Sequence, residues 1–90
     1  MSEIRLIGSW VAETTAGALV SGDAAREFTG VSIDTRTVRA GELYVAIRGE
    51  RFDGTEFAPA ALLAGAGGVV VPRGRGRALD AYGPAVVIEV

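Results

Sequence analysis

Asp34-Thr35-Arg36 places an acceptor, a hydroxyl and a forked cation on consecutive residues, where the apolar alternation of Val31, Ser32 and Ile33 stops. Such a set suits a phosphate or the polar edge of a base. The same residues can also close on themselves, with Arg36 pairing to Asp34 or Glu42 to stiffen a turn, and the triplet alone leaves both readings open. A second set follows, Arg48-Gly49-Glu50-Arg51-Phe52-Asp53-Gly54. Its backbone amides and aromatic face suit a flat ring, although pattern alone favours a solvated loop with Phe52 tucked into the core. Glu50, Asp53 and Glu56 invite an acid/base or hard-metal reading. Spacing of this kind is common in loops and caps, and no further carboxylates join them, so neither catalysis nor a metal is expected there. Arg73-Gly74-Arg75-Gly76-Arg77 is a short, single tract between two strand-like runs, which fits a mobile surface loop better than an RNA-binding segment. Gly65-Ala66-Gly67-Gly68 follows a helix and precedes a strand, the reverse of what a dinucleotide site requires.

Composition narrows the chemistry further. The chain has 90 residues, 49% of them apolar, with a net charge of −2 and a mean hydropathy of +0.32. That is one domain with a modest core, too apolar for disorder. No apolar run approaches the roughly 20 residues that cross a bilayer, and the N-terminus lacks the apolar stretch of a secretory signal. A soluble, cytoplasmic protein is expected, without a nucleic-acid or membrane partner. Cysteine is absent, which removes disulfides and thiolates. Histidine is absent too, and with it the commonest general base and metal ligand. All nine basic residues are arginine, so neither a phosphate-loop lysine nor a Schiff-base lysine exists in this chain.

Two neighbouring strands must position the polar sets. One is read over Phe28–Ile33, and the other over Leu43–Ile47 after a turn at Arg39-Ala40-Gly41-Glu42. The second is almost continuously apolar, which predicts an interior strand covered on both faces. Pro59 suits a first helical turn, so a helix is predicted over Pro59–Ala64 with a turn before it. Gly65–Gly68 close it and Val69–Val71 forms a buried strand, completing a right-handed parallel β-α-β crossover with Leu43–Ile47. Upstream, Ser9 is predicted to cap a helix over Trp10–Thr15, with Gly17 at its left-handed end. Trp10 shares the apolar stripe with Ile7, Val11 and Thr14, which favours a core anchor over a stacking platform for a base. Ala18–Val20 is a short strand, and a hairpin with Phe28–Ile33 is the economical pairing. Pro84 precedes a last strand, Ala85–Val90. The chain then stops with neither cap nor polar tail, as expected of a cut at a domain edge. The residue patterns thus predict an α/β fold, a small mixed sheet with flanking helices, and a cleft near Thr35 and Glu50–Asp53.

The segment VSIDTRTVRAGELYVAIRGERFDGTEFAPAALLAGAGGVVV closely resembles the N-terminal domain of the Mur ligases. That pattern runs strand, D-[ST]-R, a P-G-like turn, an L-[FY]-V-A strand, G-E-R-x-D-G-H, then a helix ending in G-A before a V-V-V strand. Asp34-Thr35-Arg36, Leu43-Tyr44-Val45-Ala46, Gly49-Glu50-Arg51-Phe52-Asp53-Gly54 and Gly65-Ala66 fill those places. The G-E-R-F-D-G run is most like the branch that adds D-alanyl-D-alanine (MurF), rather than its neighbour MurE. Thr55 stands where the family usually has His, which weakens a polar contact near the substrate, and Ala40 where it usually has Pro, which costs only turn rigidity.

The resemblance implies a MurE/MurF N-terminal-domain-like fold and a division of labour. A domain of this kind holds the uridine end of a UDP-MurNAc-peptide in peptidoglycan precursor synthesis. A central domain takes ATP and Mg²⁺, and a C-terminal domain helps bind the amine that attacks the activated peptide carboxyl. The residues carried over as substrate-binding are Thr35, Arg36, Gly49, Glu50, Arg51, Phe52 and Asp53. No catalytic residue, metal or cofactor is expected in residues 1–90 themselves. The chain alone is therefore expected to be inactive, with the rest of a ligase as its partner.

Overall fold

The computed structural model describes residues 6–46, 54–82 and 85–90. Among these residues, five strands form one mixed sheet: β1 (Ala18–Ser21), β2 (Val31–Ser32), β3 (Leu43–Val45), β4 (Gly68–Val71) and β5 (Val86–Glu89). Their order is β1-β5-β4-β3-β2. β2 through β5 pair in parallel, and β1 joins β5 antiparallel. Helix α1 (Gly8–Thr14) precedes β1, and α2 (Ala58–Leu63) links β3 to β4.

The predicted parallel pairing around α2 is present, with Tyr44 opposite Val69 and Val45 opposite Val70. β4 reads Gly-Val-Val-Val and is buried along its whole length, as a strand covered on both faces must be. One face packs Tyr44, Val69, Val71 and Val87 against Ala58, Ala61 and Leu79. The other packs Leu43, Val70, Val86 and Ile88 against Val11 and Phe28. Alternate residues of each strand therefore serve opposite layers.

Both helices end in the same hydrogen-bond pattern. In α2 the Ala66 N–H reaches the Ala61 carbonyl (3.0 Å) and Gly65 N–H reaches Leu62 (3.1 Å). Gly65 sits at φ +102°, the left-handed position predicted for it. In α1 the Gly17 N–H reaches Ala12 (2.9 Å) and Ala16 reaches Glu13 (3.2 Å). Here the left-handed residue is Ala16, at φ 55°, one place earlier than predicted. Gly17 is needed for another reason: a Cβ there would stand 2.5 Å from the Glu89 carbonyl oxygen.

Four other expectations are corrected. Ser9 does not cap α1. Ile7 occupies the cap position without a side-chain bond, and the first free amides, Gly8 and Ser9, donate to the Arg26 and Ala24 carbonyls (3.0 and 2.8 Å). The helix thus begins earlier and turns Val11 inward at 5% exposure, while Trp10 stays 37% exposed instead of anchoring the core. The hairpin of Ala18–Val20 with Phe28–Ile33 does not form, because β1 and β2 lie at opposite edges of the sheet. β2 is also shorter than predicted, since Phe28 leaves the strand to pack over Gly67 and Gly68. Ile47 lies outside the described residues.

Candidate functional site

Because β2 to β5 run parallel, their carboxyl ends share one rim of the sheet, where α/β folds ordinarily take ligands. At the β2 end of that rim the chain makes a tight turn. The Ser32 hydroxyl donates to the Asp34 carbonyl (3.0 Å) and accepts from the Asp34 N–H (3.2 Å). Asp34 Oδ1 accepts the Arg36 backbone N–H (2.8 Å), and the Asp34 carbonyl accepts the Thr37 N–H (3.1 Å) and hydroxyl (3.3 Å). An acidic side chain bonding the backbone two residues on is the usual way a non-glycine turn is held.

Arg36 closes back on the same carboxylate. Its Nε lies 3.1 Å from both Asp34 oxygens and its Nη2 lies 2.7 Å from Oδ2. Of the two partners open to Arg36 in the sequence, Asp34 is therefore the one taken. Glu42 instead accepts the Arg39 backbone N–H (2.7 Å) and stiffens the turn before β3. The Arg36 side chain, followed by its backbone N–H, holds the Asp34 carboxyl down at about 2, and Asp34 in return raises the Arg36 guanidinium.

The sign of the pH dependence follows. A carboxyl whose folded value lies below its unfolded one stabilises the turn fully above the ordinary range, and loses that contribution as pH falls toward the folded value. The Arg36 amide resonance should therefore stay constant from about pH 5 to 9 and move only below about pH 4, in the window between the ordinary carboxylate value and the lowered one. An inflection near pH 4 would show that the pair does not form.

This turn borders a cavity of about 310 Å³ lined by Ile33, Asp34, Thr35, Arg36 and Phe57. Ile33 and Phe57 are 56% and 40% exposed, so the cavity offers an aromatic and an aliphatic surface beside a hydroxyl and a neutralised ion pair. β2 ends at Ser32, so Ile33 stands just past the strand, and Val31 within it is 53% exposed as well. The structure thus brings Thr35 and Arg36 of the predicted set together. Gly49, Glu50, Arg51, Phe52 and Asp53 lie outside the described residues. Sequence reasoning missed Phe57 and Ile33. Phe57 ends the 3₁₀ turn Gly54–Phe57 that leads into α2, and the available signal was its place two residues before Pro59, where a helix entry must pass the ends of the strands.

At the opposite flank a second cavity of about 500 Å³ is lined by Val20, Gly74, Arg77 and Glu89. Its arginine loop lies on the surface, as predicted, with backbone contacts to β5 and its end: the Arg73 N–H donates to the Val90 carbonyl, the Arg75 N–H to the Pro72 carbonyl, and the Gly76 N–H to Glu89 Oε2 (2.8 Å). That lining offers neither an aromatic face nor a hydroxyl, so the smaller cavity is the better candidate. Among the described residues no cluster of acidic side chains could hold a metal ion, and no helix is long and apolar enough to cross a membrane.

The comparisons with known proteins agree with this architecture. A UDP-N-acetylmuramoyl-L-alanyl-D-glutamate–2,6-diaminopimelate ligase of Bacteroides thetaiotaomicron is 51% identical over 47 residues, 52% of this chain and 10% of that protein. Its counterpart from Rhizobium meliloti is 39% identical over 73 residues, 80% of this chain and 15% of that protein. A UDP-N-acetylmuramoyl-tripeptide–D-alanyl-D-alanine ligase of Synechocystis is 51% identical over 43 residues, 48% of this chain and 10% of that protein. The chain therefore spans only 10% to 15% of the length of these relatives. Among solved structures, MurF from Acinetobacter baumannii superposes with a TM-score of 0.77 over 97% of this chain and 18% of that one, at 22% identity, a likeness of fold. Relatives by sequence include both ligase types, so the D-alanyl-D-alanine branch expected from the G-E-R-F-D-G run is not singled out. The model of the Mur ligase family, catalytic domain, matches residues 27–87, and the chain belongs to the Mur ligase family.

Proposed function

We propose that this chain is the substrate-holding N-terminal domain of a longer ATP-dependent ligase of peptidoglycan precursor synthesis, gripping the uridine end of a UDP-MurNAc-peptide. The observation that carries the reading is the cavity where β2 ends: Thr35 held in a fixed turn, with Ile33 and Phe57 beside it. A flat, polar-edged ring needs such a mixture of apolar face and directed hydroxyl. The Thr35 hydroxyl meets the uracil–ribose end, together with amides of Gly49–Asp53, and Arg36 orders the turn. Grip on the remote nucleotide positions a peptide carboxyl far away, so that binding energy is used for orientation at the reacting centre. ATP and Mg²⁺ belong to another domain of the ligase, in keeping with the absence of lysine here. The 90 residues alone are inactive in this reading.

The G-E-R-F-D-G run supports D-alanyl-D-alanine as the amine joined by the full ligase. A second reading, diaminopimelate, is favoured by the longer stretch of identity with the Rhizobium meliloti enzyme. Assaying the full-length enzyme with each amine decides between them. For the domain itself the test is titration with UDP or UDP-MurNAc-tripeptide while the amides of Thr35, Arg36 and Phe57 are followed by NMR. Those amides are expected to shift together and saturate. If none moves at millimolar ligand, either in this chain or in the full ligase, the uridine site is not here.

A further inference from the structure

We infer that Asp34 is the positioning and specificity-setting residue of the β2 cavity: it fixes the turn that presents Thr35 and withholds the Arg36 charge from the ligand. This rests on the reading of the cavity as a uridine site. Both Asp34 oxygens point forward across Thr35. Oδ1 takes the Arg36 backbone N–H at 2.8 Å, and Oδ2 takes Arg36 Nη2 at 2.7 Å. Behind them, the Ser32 hydroxyl and the Thr37 N–H lock the Asp34 backbone. Thr35 is the residue spanned by these bonds, so its backbone has little freedom left to lose on binding.

The charge follows from the same contacts. The Arg36 side chain is 86% exposed and that of Asp34 is 35% exposed. An arginine so placed would ordinarily be the cavity's anion hook. Here its fork is turned onto a carboxylate of its own turn, and the pair is neutral. A diphosphate meets a fork whose Nε–Nη2 edge is already taken and whose charge Asp34 offsets, whereas an uncharged uracil–ribose end loses nothing by that. Asp34 therefore makes the cavity select the neutral end of a nucleotide over its phosphates. The sequence alone left Arg36 divided between meeting phosphate and stiffening its own turn, and its bonds to Asp34 favour the second task.

Two substitutions separate the functions. Asp34→Asn keeps an oxygen for the Arg36 N–H but gives up the ion pair, while Asp34→Ala loses both. In the ligand-free chain, Arg36 amide exchange should stay slow in Asp34→Asn and become fast in Asp34→Ala, with thermal melts confirming that both variants fold. Titrated with uridine, Asp34→Asn should bind within about threefold of the parent chain and Asp34→Ala about tenfold or more weakly, the scale of one directed hydrogen-bond set. The preference for UDP over uridine should rise at least about threefold in Asp34→Asn at low salt and fade as salt is added. It should not rise in Arg36→Ala. An unchanged preference in Asp34→Asn, or Asp34→Ala binding and exchanging as Asp34→Asn does, overturns the inference. If neither uridine nor UDP binds the unsubstituted chain, the uridine reading fails and the specificity role fails with it. The exchange rates still decide whether Asp34 holds the turn.

Discussion

Gly22→Ala is expected to lower the melting temperature of the chain by at least about 10 °C, at roughly 4–8 °C per kcal/mol for a domain of this size. Gly22 follows β1 at φ +89°, and a Cβ there would lie 2.6 Å from Val86 Cα and 2.7 Å from the Ala85 carbonyl oxygen. Two costs combine. The left-handed conformation itself costs a non-glycine residue about 1–2 kcal/mol, and overpacking against backbone adds about 1–3 kcal/mol more. The atoms struck belong to the start of β5, an interior strand, and backbone there cannot rotate aside. Gly74 provides the control. It has almost the same φ, +87°, and nothing within 4 Å of its Cβ position. Gly74→Ala should carry only the conformational cost, about half the loss or less. Equal losses in parallel thermal melts would show that the contact with β5 is not made.

These two glycines also show where sequence reading works and where it stops. Ser21-Gly22-Asp23 is recognisable as a turn from residue types alone, because only certain residues accept such backbone angles. That Gly22 lies against Val86 is invisible, since the contact joins residues far apart in the chain. The same division runs through the fold. β3, α2 and β4 were legible because their signals are local: a continuous apolar run, a proline at a helix entry, a glycine at its end. Pairing at the sheet edges was not. Ala18–Val20 and Phe28–Ile33 look like partners by proximity, yet β5 takes β1 as its antiparallel neighbour, and Phe28 is drawn into the gap that Gly67 and Gly68 leave open. At the cavity, Thr35 and Arg36 announced themselves by residue type. Phe57 did not, because an aromatic before a helix reads equally well as core. Whether Arg36 would turn to Asp34 or Glu42 depended on the angle at which the chain leaves β2, which no residue type encodes.

The second large effect concerns how the cavity is held to the core. Leu43→Ala is expected to cost about 2–5 kcal/mol, whereas Val31→Ala, its register partner on the neighbouring strand, should stay within about 1 kcal/mol. Leu43 is 2% exposed and packs with Val11, Phe28, Val70, Val86 and Ile88. Val31 is 53% exposed. Among the described residues β2 is an edge strand paired to β3 alone, by Val31 opposite Leu43 and Ser32 opposite Tyr44. Whatever loosens β3 therefore loosens the turn that presents Thr35, although Leu43 does not line the cavity. Amide exchange at Thr35–Thr37 should accelerate in Leu43→Ala and remain as in the parent chain in Val31→Ala. A ligand that binds only the folded form restores stability by mass action, about 2.7 kcal/mol at a hundredfold excess over its dissociation constant. Excess UDP should accordingly recover much of the Leu43→Ala melting temperature and slow exchange at Thr35–Thr37 again. Recovery of the melting temperature without renewed protection at those amides would mean that UDP is held elsewhere on the molecule.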